Sequence, residues 1–460
     1  MTPQDFRIET LGPCKIKSPL QYSTHAEGHE KLFVNENRRV LFDVIYDEQD
    51  DGSLEPHDIE LTMQRAGPRE YIYFDPSKTT VAVVTCGGLC PGINNVIRSL
   101  VMTLTYRYGV RKVWGVQYGY QGFVPDYGHP FIELTPDMVS SIHQFGGSML
   151  GSSRGDQDPE VIVDCLERHG VNILFTIGGD GTLKGALKIQ QEIKKRGLKI
   201  SVAGIPKTID NDINHIEKSF GFETSFTVAS PIIRDAHNEA KGAYNGIAIV
   251  KLMGRDSGFI AANAALSMPE VNFVLVPEID FDLYGERGLF ESVRRRLADK
   301  QHCVIVVAEG AGQRFFEQQH AQSVDASGNV LHRDIGIFLR DQFTEYFQSI
   351  NFRANVKYID PSYIIRSAPA TASDSIFCNK LGLHGVHGAM AGKTSFVVGR
   401  RNNKFVYLPI ESVVKERKKI NPKGDLWLNV LETTGQPVSM KNPGGPTPAL
   451  NGLKPQTKVS

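Results

Sequence analysis

The segment GIPKTIDNDI, residues 204–213, sets Thr208, Asp210 and Asp212 at alternate positions with Lys207 directly before them. In an extended chain alternate side chains share a face, so the hydroxyl and the two carboxylates would line one strip. Neighbouring carboxylates repel and are costly to desolvate unless something positive lies near them. The strip therefore calls for a cation. A tight turn at Asp210-Asn211-Asp212 is the alternative, since Asp and Asn favour turns.

A second segment supplies a cation site. In LFTIGGDGTLKGA (174–186) Asp180 stands at a glycine turn between a strand and a helix. Backbone amides at such a turn can hold phosphate, and Mg²⁺ takes one or two carboxylates plus phosphate oxygens. The alternative makes Asp180 an N-cap for the helix from Thr182 onward. With Mg²⁺ and phosphate at Asp180, Asp210 can serve as general base for an attacking hydroxyl. Asp212 would orient that hydroxyl or reach the metal through water, and Thr208 would hydrogen-bond the incoming group.

Further candidates surround this pair. Arg154, in SMLGSSRGD, can reach the same phosphates or be a lone surface arginine. In TCGGLCPGINN, Gly87 and Gly92 have P-loop spacing, but Ile93-Asn94 replace the required Lys-Ser/Thr, so a Walker A reading fails. The loop still opens a helix whose free amides suit an anion; a plain tight turn is the alternative. Cys86 and Cys90 flank this turn without a second Cys/His pair, so small residues in a tight loop outweigh a metal pair. KLMGRDSGF offers Arg255 and KYIDPSYIIRS offers Lys357, Tyr363 and Arg366, cations and a hydroxyl suited to a sugar phosphate. Glu309, ending CVIVVAEGAG, can accept from sugar hydroxyls. Each alone could be surface decoration, but all follow apolar runs.

The elements that must position these groups are legible. TTVAVVT (79–85), KVWGVQYG, VNILFTIGGDGT, KISVAGIP, NGIAIVKLMG, VNFVLVPE and HCVIVVAEGAG are short continuous apolar runs ending in Gly, Pro or polar clusters. Most are separated by helix-length amphipathic stretches. Strands buried on both faces read this way, so the fold class is α/β with mainly parallel sheets, which bind ligands at the carboxyl ends of their strands. Residues 1–75 are polar and turn-rich and read as an N-terminal extension. The stretch after about residue 435 is Pro/Gly-rich and reads as an arm or a disordered end.

Bulk properties exclude several classes. The 460 residues carry 51 Lys+Arg against 51 Asp+Glu, so no net field favours nucleic acid or an anionic membrane. Six cysteines in this length make no disulfide framework, no run is long enough to span a membrane, and no secretory signal opens the chain. A cytoplasmic protein is the expectation.

Taken in order over about residues 80–400, GGLCPGINNVIR, GGDGT, PKTIDNDI, MGRDSGFIA, AEGAG and KYIDPSYIIR resemble the 6-phosphofructokinases. The match is most similar to the long ATP-dependent subgroup of plants and trypanosomatids. GGDGT alone also occurs in NAD and lipid kinases; the ordered set is specific. The resemblance implies two Rossmann-like parallel-sheet lobes with the active site in the cleft. These would be a nucleotide-binding lobe over 76–221 with about 366–410 and a sugar-phosphate-binding lobe over 222–365. An extension over 1–75 and a C-terminal arm over 411–460 would flank them. It implies transfer of the γ-phosphoryl of MgATP to the 1-hydroxyl of fructose 6-phosphate, in a glycolytic, allosteric homotetramer. Gly87, Arg154, Gly155, Gly179, Asp180, Gly181 and Thr182 would form the nucleotide site, with Asp180 the Mg²⁺ residue. Asp210 would be the base, with Lys207, Thr208 and Arg255 catalytic beside it. The acceptor would meet Thr208, Ile209, Asp210, Met253, Gly254, Arg255 and Glu309, and its 6-phosphate would meet Tyr363, Ile364, Ile365 and Arg366.

The sequence departs from the short bacterial members at Tyr363, where they carry histidine, at Lys357, where they carry arginine, and at Gly246, near their cross-subunit arginine. Two positions speak to the phosphoryl donor. Gly181 is of the ATP type, because an aspartate there would block and repel an α-phosphate; Lys207 is of the type found in pyrophosphate users. Gly181 decides for ATP, with pyrophosphate as the alternative donor. A catalytically silent sugar-phosphate sensor would lack Asp180, Asp210 or Arg255, and all three are present.

Overall fold

The computed structural model describes residues 3–21, 32–56, 61–316 and 331–444. The terminal part of the arm, residues 445–460, lies outside the described residues. Along the chain, the strands of the two larger sheets are β1 (Arg39–Leu41), β2 (Thr62–Arg65), β3 (Thr80–Thr85), β4 (Lys112–Val116), β5 (Phe131–Glu133), β6 (Ile173–Gly178) and β7 (Ser201–Pro206). They continue as β8 (Gly246–Leu252), β9 (Phe273–Leu275), β10 (His302–Ala308), β11 (Asn355–Ile359), β12 (Phe396–Arg401) and β13 (Lys404–Pro409). The helices used below are α1 (Ile93–Met102), α2 (Asp180–Lys195), α3 (Leu289–Lys300), α4 (Ile335–Ser349), α5 (Ala372–Met390) and α6 (Asp425–Thr434).

The chain forms two compact units. The first takes the described residues within 1–225 together with Tyr363–Lys418. Its nine-stranded sheet runs β5-β4-β3-β6-β7-β12-β13-β2-β1. The central five strands, β4 to β12, are parallel, and antiparallel strands close both edges. β6 and β7 are buried at every position, as continuous Val/Ile-rich runs require when helices cover both faces. Two glycines of α5 let it lie close to its neighbours: a Cβ at Gly382 would come 2.6 Å from Ser99 Oγ of α1, and one at Gly385 2.9 Å from Ile205 Cδ1 of β7.

β1 and β2 come from the stretch read as an N-terminal extension. They join the sheet through β13, with Tyr407 of β13 opposite Gln64 of β2. Strands of three and four residues are too short to establish a periodicity, which is why the stretch reads as turn-rich. The stretch read as the arm divides likewise. Residues 411–418 belong to the first unit, and α6 forms within the second.

The second unit holds the described residues of 226–322, 331–362 and 419–444. Its four strands run β9-β10-β8-β11, all parallel. Its core packs Phe281, Phe290, Phe343 and Phe347 around Ile247, Ile249 and Ile305. Among the described residues no helix is long and apolar enough to cross a membrane.

Candidate active site

In the first unit the site forms where β3, β6 and β7 end. β7 stops at Pro206, and the next residues do not continue it. Ile209 and Asp210 enter a turn and Asn211 takes a left-handed φ of 54°. The expected extended strip is therefore a compact turn. Local hydrogen bonding makes it so: Thr208 Oγ1 accepts from the Asp210 amide at 3.1 Å and donates to Asp212 Oδ1 at 3.0 Å. Asn211 is locked from the other side, since its Nδ2 donates to Glu217 O at 3.1 Å and its Oδ1 accepts from the Ser219 amide at 3.0 Å. Thr208, Asp210 and Asp212 remain together, gathered by a turn instead of by alternation. Because its one proton goes to Asp212, Thr208 can meet an incoming hydroxyl only as an acceptor.

Asp180 is the first residue of α2, not its cap. The N-cap is Gly179, which makes no side-chain cap bond. The Asp180 carboxylate instead meets Lys184 Nζ at 2.9 Å and Arg417 Nη2 at 3.5 Å. Arg417 Nη1 also lies 3.6 Å from Asp212 Oδ2. Burial pushes the Asp212 carboxyl above its ordinary range, opposed by the Arg417 charge and reinforced by Asp180. The amide end of α2 and a carboxylate thus face the same space as the Thr208–Asp212 turn. Thr182 is buried against Gly178. Gly181 lies in the first turn of α2, where a Cβ would meet nothing within 4 Å and its φ is ordinary. Nothing in the fold demands glycine at 181.

Three cations converge on the first glycine loop. Lys207 is 5% exposed, and its Nζ donates to the Gly88 carbonyl at 2.6 Å. A Cβ on Gly87 would lie 3.6 Å from that Nζ, and a Cβ on Gly88 would lie 3.3 Å from Arg154 Nη2 and 3.9 Å from Arg366 Cζ. Burial lowers the Lys207 pKa, and the Arg366 and Arg154 charges lower it further. The loop is anchored by the Gly87 amide on Ser153 O at 2.9 Å and by Ser152 Oγ on Gly87 O at 2.5 Å. That arrangement exceeds a plain tight turn. Cys86 and Cys90 are buried within it, their thiols pushed up to about 12 by burial. Gly155 is left-handed, with φ of 99°.

Of the expected 6-phosphate group, Arg366 stands at this loop and Ile365 is buried. Tyr363 and Ile364 face solvent, 81% and 64% exposed.

The second unit assembles the other candidates. Gly310 donates its amide to Gly254 O at 3.1 Å and Glu309 to Leu252 O at 2.9 Å. A Cβ on Gly310 would strike Arg255 O at 1.8 Å, so the two turns fit only with glycine there. Met253, Gly254, Arg255 and Glu309 are thereby brought together from segments more than fifty residues apart in sequence. Lys251, just before this loop, is 2.9 Å from Asp360 and paired with Asp334. These carboxylates raise its pKa against the opposing effect of burial. Lys357 pairs with Glu239 instead of joining the Arg255 loop.

The sequence reading missed Arg417 and Gly88. No local signal reveals Arg417: it sits in a basic run, KERKK, that resembles a solvated surface, and its partner Asp180 is 237 positions away.

Comparison with known proteins bears on this arrangement. The family model described as Phosphofructokinase matches residues 80–389. A Borreliella burgdorferi protein named ATP-dependent 6-phosphofructokinase is 51% identical over 446 residues, covering 95% of this chain and 98% of that one. An Arabidopsis thaliana protein, ATP-dependent 6-phosphofructokinase 5, chloroplastic, is 44% identical over 434 residues, covering 92% and 80%. Among solved structures, the pyrophosphate-dependent phosphofructokinase from Marinobacter aquaeolei superposes with a TM-score of 0.63 over 83% of this chain and 98% of that one. At 21% identity it speaks to the fold alone.

Proposed function

The chain belongs to the phosphofructokinase family, and from that membership we propose how its residues divide the work. It transfers the γ-phosphoryl of ATP to the 1-hydroxyl of fructose 6-phosphate. The observation that carries the residue reading is the meeting of the α2 amide end, Asp180, the Thr208–Asp212 turn and the cation-lined glycine loop. Phosphoryl transfer needs little covalent help from protein; it needs positioning and charge neutralisation. Each group present serves one of those ends.

The donor phosphates lie at Gly87–Gly88 and at the α2 amides of Gly179–Thr182, under Arg154 and Lys207. The structure sets a cation, the Arg417 guanidinium, between Asp180 and Asp212, so the hard-oxygen pair accepts positive charge and fits Mg²⁺. When bound there, Mg²⁺ neutralises the phosphate charge. Asp210 takes the proton of the sugar 1-hydroxyl. Thr208 holds both aspartates in place through its two hydrogen bonds. Lys207, buried beside Gly88, offsets charge developing between donor and acceptor. In the second unit Met253, Gly254, Arg255 and Glu309 receive the sugar phosphate; Arg366 and Tyr363, in the first unit, are the residues that the family resemblance assigns to its 6-phosphate. A homotetramer with allosteric control follows from the family resemblance. A reducing cytoplasm fits six cysteines that are all free.

Pyrophosphate is the second reading, favoured only by Lys207. Gly181 weighs against it: with no fold reason for glycine, the missing side chain leaves room for a nucleotide's α-phosphate. Steady-state kinetics with each donor test this. The wild type turns over with ATP and shows little or no turnover with pyrophosphate. Gly181→Asp keeps its melting temperature, since a carboxylate suits a helix N-terminus, yet loses ATP use through like-charge repulsion. Robust wild-type turnover with pyrophosphate and none with ATP would reverse the assignment.

A further inference from the structure

Arg417 sets one guanidinium fork across two carboxylates that lie far from it in sequence. Its Nη2 is 3.5 Å from Asp180 Oδ2 and its Nη1 3.6 Å from Asp212 Oδ2. Both carboxylates are well shielded, at 15% and 9% side-chain exposure, and Arg417 is at 27%. Lys184 also pairs with Asp180, but from one turn along its own helix and half exposed.

The backbone around Arg417 is fastened to the same loop. Arg417 and Ile213 form an antiparallel bridge, and the Lys418 amide donates to Asp212 O at 2.8 Å. Lys418 Nζ donates to Ile216 O at 2.9 Å and to Glu217 O at 3.1 Å. Asn214 Nδ2 donates to Glu416 Oε1 at 3.0 Å. Residues 416–418 thus form a strap tied to the loop after Asp210, and its guanidinium is delivered to one place.

That place is the one a divalent ion shared by these carboxylates would need. A guanidinium is always charged and cannot be neutralised to make way. Two cations do not fit between one pair of carboxylates without strong repulsion. We infer that Arg417 is the resident counter-cation of the metal site, and that Mg²⁺ displaces it on binding, so that Arg417 sets the metal affinity. This rests on the reading of Asp180 as the metal residue. The arginine keeps Asp180 and Asp212 from repelling each other before the metal arrives, and weakens metal binding by the free energy of its own displacement.

Mn²⁺ serves as the probe, titrated into the full chain without nucleotide and followed by the paramagnetic signal of the unbound ion. Arg417→Met keeps the apolar stem and drops the charge; it binds Mn²⁺ about tenfold tighter or more, the worth of one charge-assisted contact. Arg417→Lys, which keeps the charge, stays within about threefold of wild type, as a retained counter-cation requires. Asp180→Asn abolishes binding. Arg417→Met binding Mn²⁺ no tighter than wild type overturns the inference and makes the arginine a support for the carboxylates. A measurement on the wild type needs no variant: Mn²⁺ speeds hydrogen exchange at the 416–418 amides, and unchanged exchange at bound metal likewise overturns it. Mn²⁺ binding that survives Asp180→Asn would instead sink the metal reading itself.

Discussion

At the scale of single residues, Asp210 carries the sharpest expectation. Its backbone amide is tied to Thr208 Oγ1, so the turn presents the side chain without depending on its charge. Asp210→Asn therefore keeps the turn and removes only the base. The expected loss in kcat is about 10²–10⁴, the usual worth of general base catalysis, with ATP binding by calorimetry unchanged. Near-normal kcat would remove Asp210 from the role. Asp180 and Arg255 were legible because each is an ionisable group at a glycine turn after an apolar run, and Lys207 because it follows an apolar run that ends in proline, patterns local in sequence. The geometry was legible only in part. Alternation at 208, 210 and 212 suggested an extended strip, but Thr208 captures the Asp210 amide and Asn211 turns the chain, a competition that periodicity does not register. Arg417 was hidden altogether, for charge alone does not say which carboxylate a distant arginine will meet.

At the scale of elements, α5 sets a pH dependence. It buries His387 and partly buries His384, and desolvation lowers their pKa values to about 3 and about 4. His387 Nδ1 shares a 2.7 Å hydrogen bond with Tyr108 Oη, and His384 stacks on Phe405 with the charges of Lys380, Arg65 and Arg69 nearby. Both are neutral when folded, and both protonate near pH 6.5 when unfolded. The stability they contribute is present above about 6.5 and is lost as pH falls from there toward 4 and 3, at about 1.4 kcal/mol per pH unit for each proton taken up on unfolding. Denaturant midpoints measured between pH 7.5 and 5 should fall, and His387→Gln should flatten the slope by roughly one proton. An unchanged slope would show that the burial of His387 does not govern it. The central parallel strands were readable because burial on both faces leaves unbroken Val/Ile runs, whereas β1 and β2, three and four residues long with exposed positions, leave no such trace.

At the scale of the whole molecule, the two units rest on separate apolar cores. Phe343, fully buried on α4, packs at 4.7 Å from Phe290 and 6.0 Å from Phe347. Phe343→Ala should cost about 3–5 kcal/mol, as large cavities in tight cores do. Hydrogen exchange should report the loss in β8, β10 and α4; protection unchanged there would mean that the core relaxes around the gap. The discontinuous path of the chain through these units also bears on how it is made. β7, central to its sheet, gains its second neighbour only when Phe396 and Val397 of β12 exist to pair with Ala203 and Gly204. The other unit waits as well, because Met440 belongs to its core and Gln436 Oε1 accepts from the Val274 amide of β9 at 2.6 Å. Each sheet therefore closes only after segments far along the chain from its central strands have been made. A nascent chain stalled before Phe396 would expose open parallel edges, the surfaces that chaperones bind and that aggregates grow from.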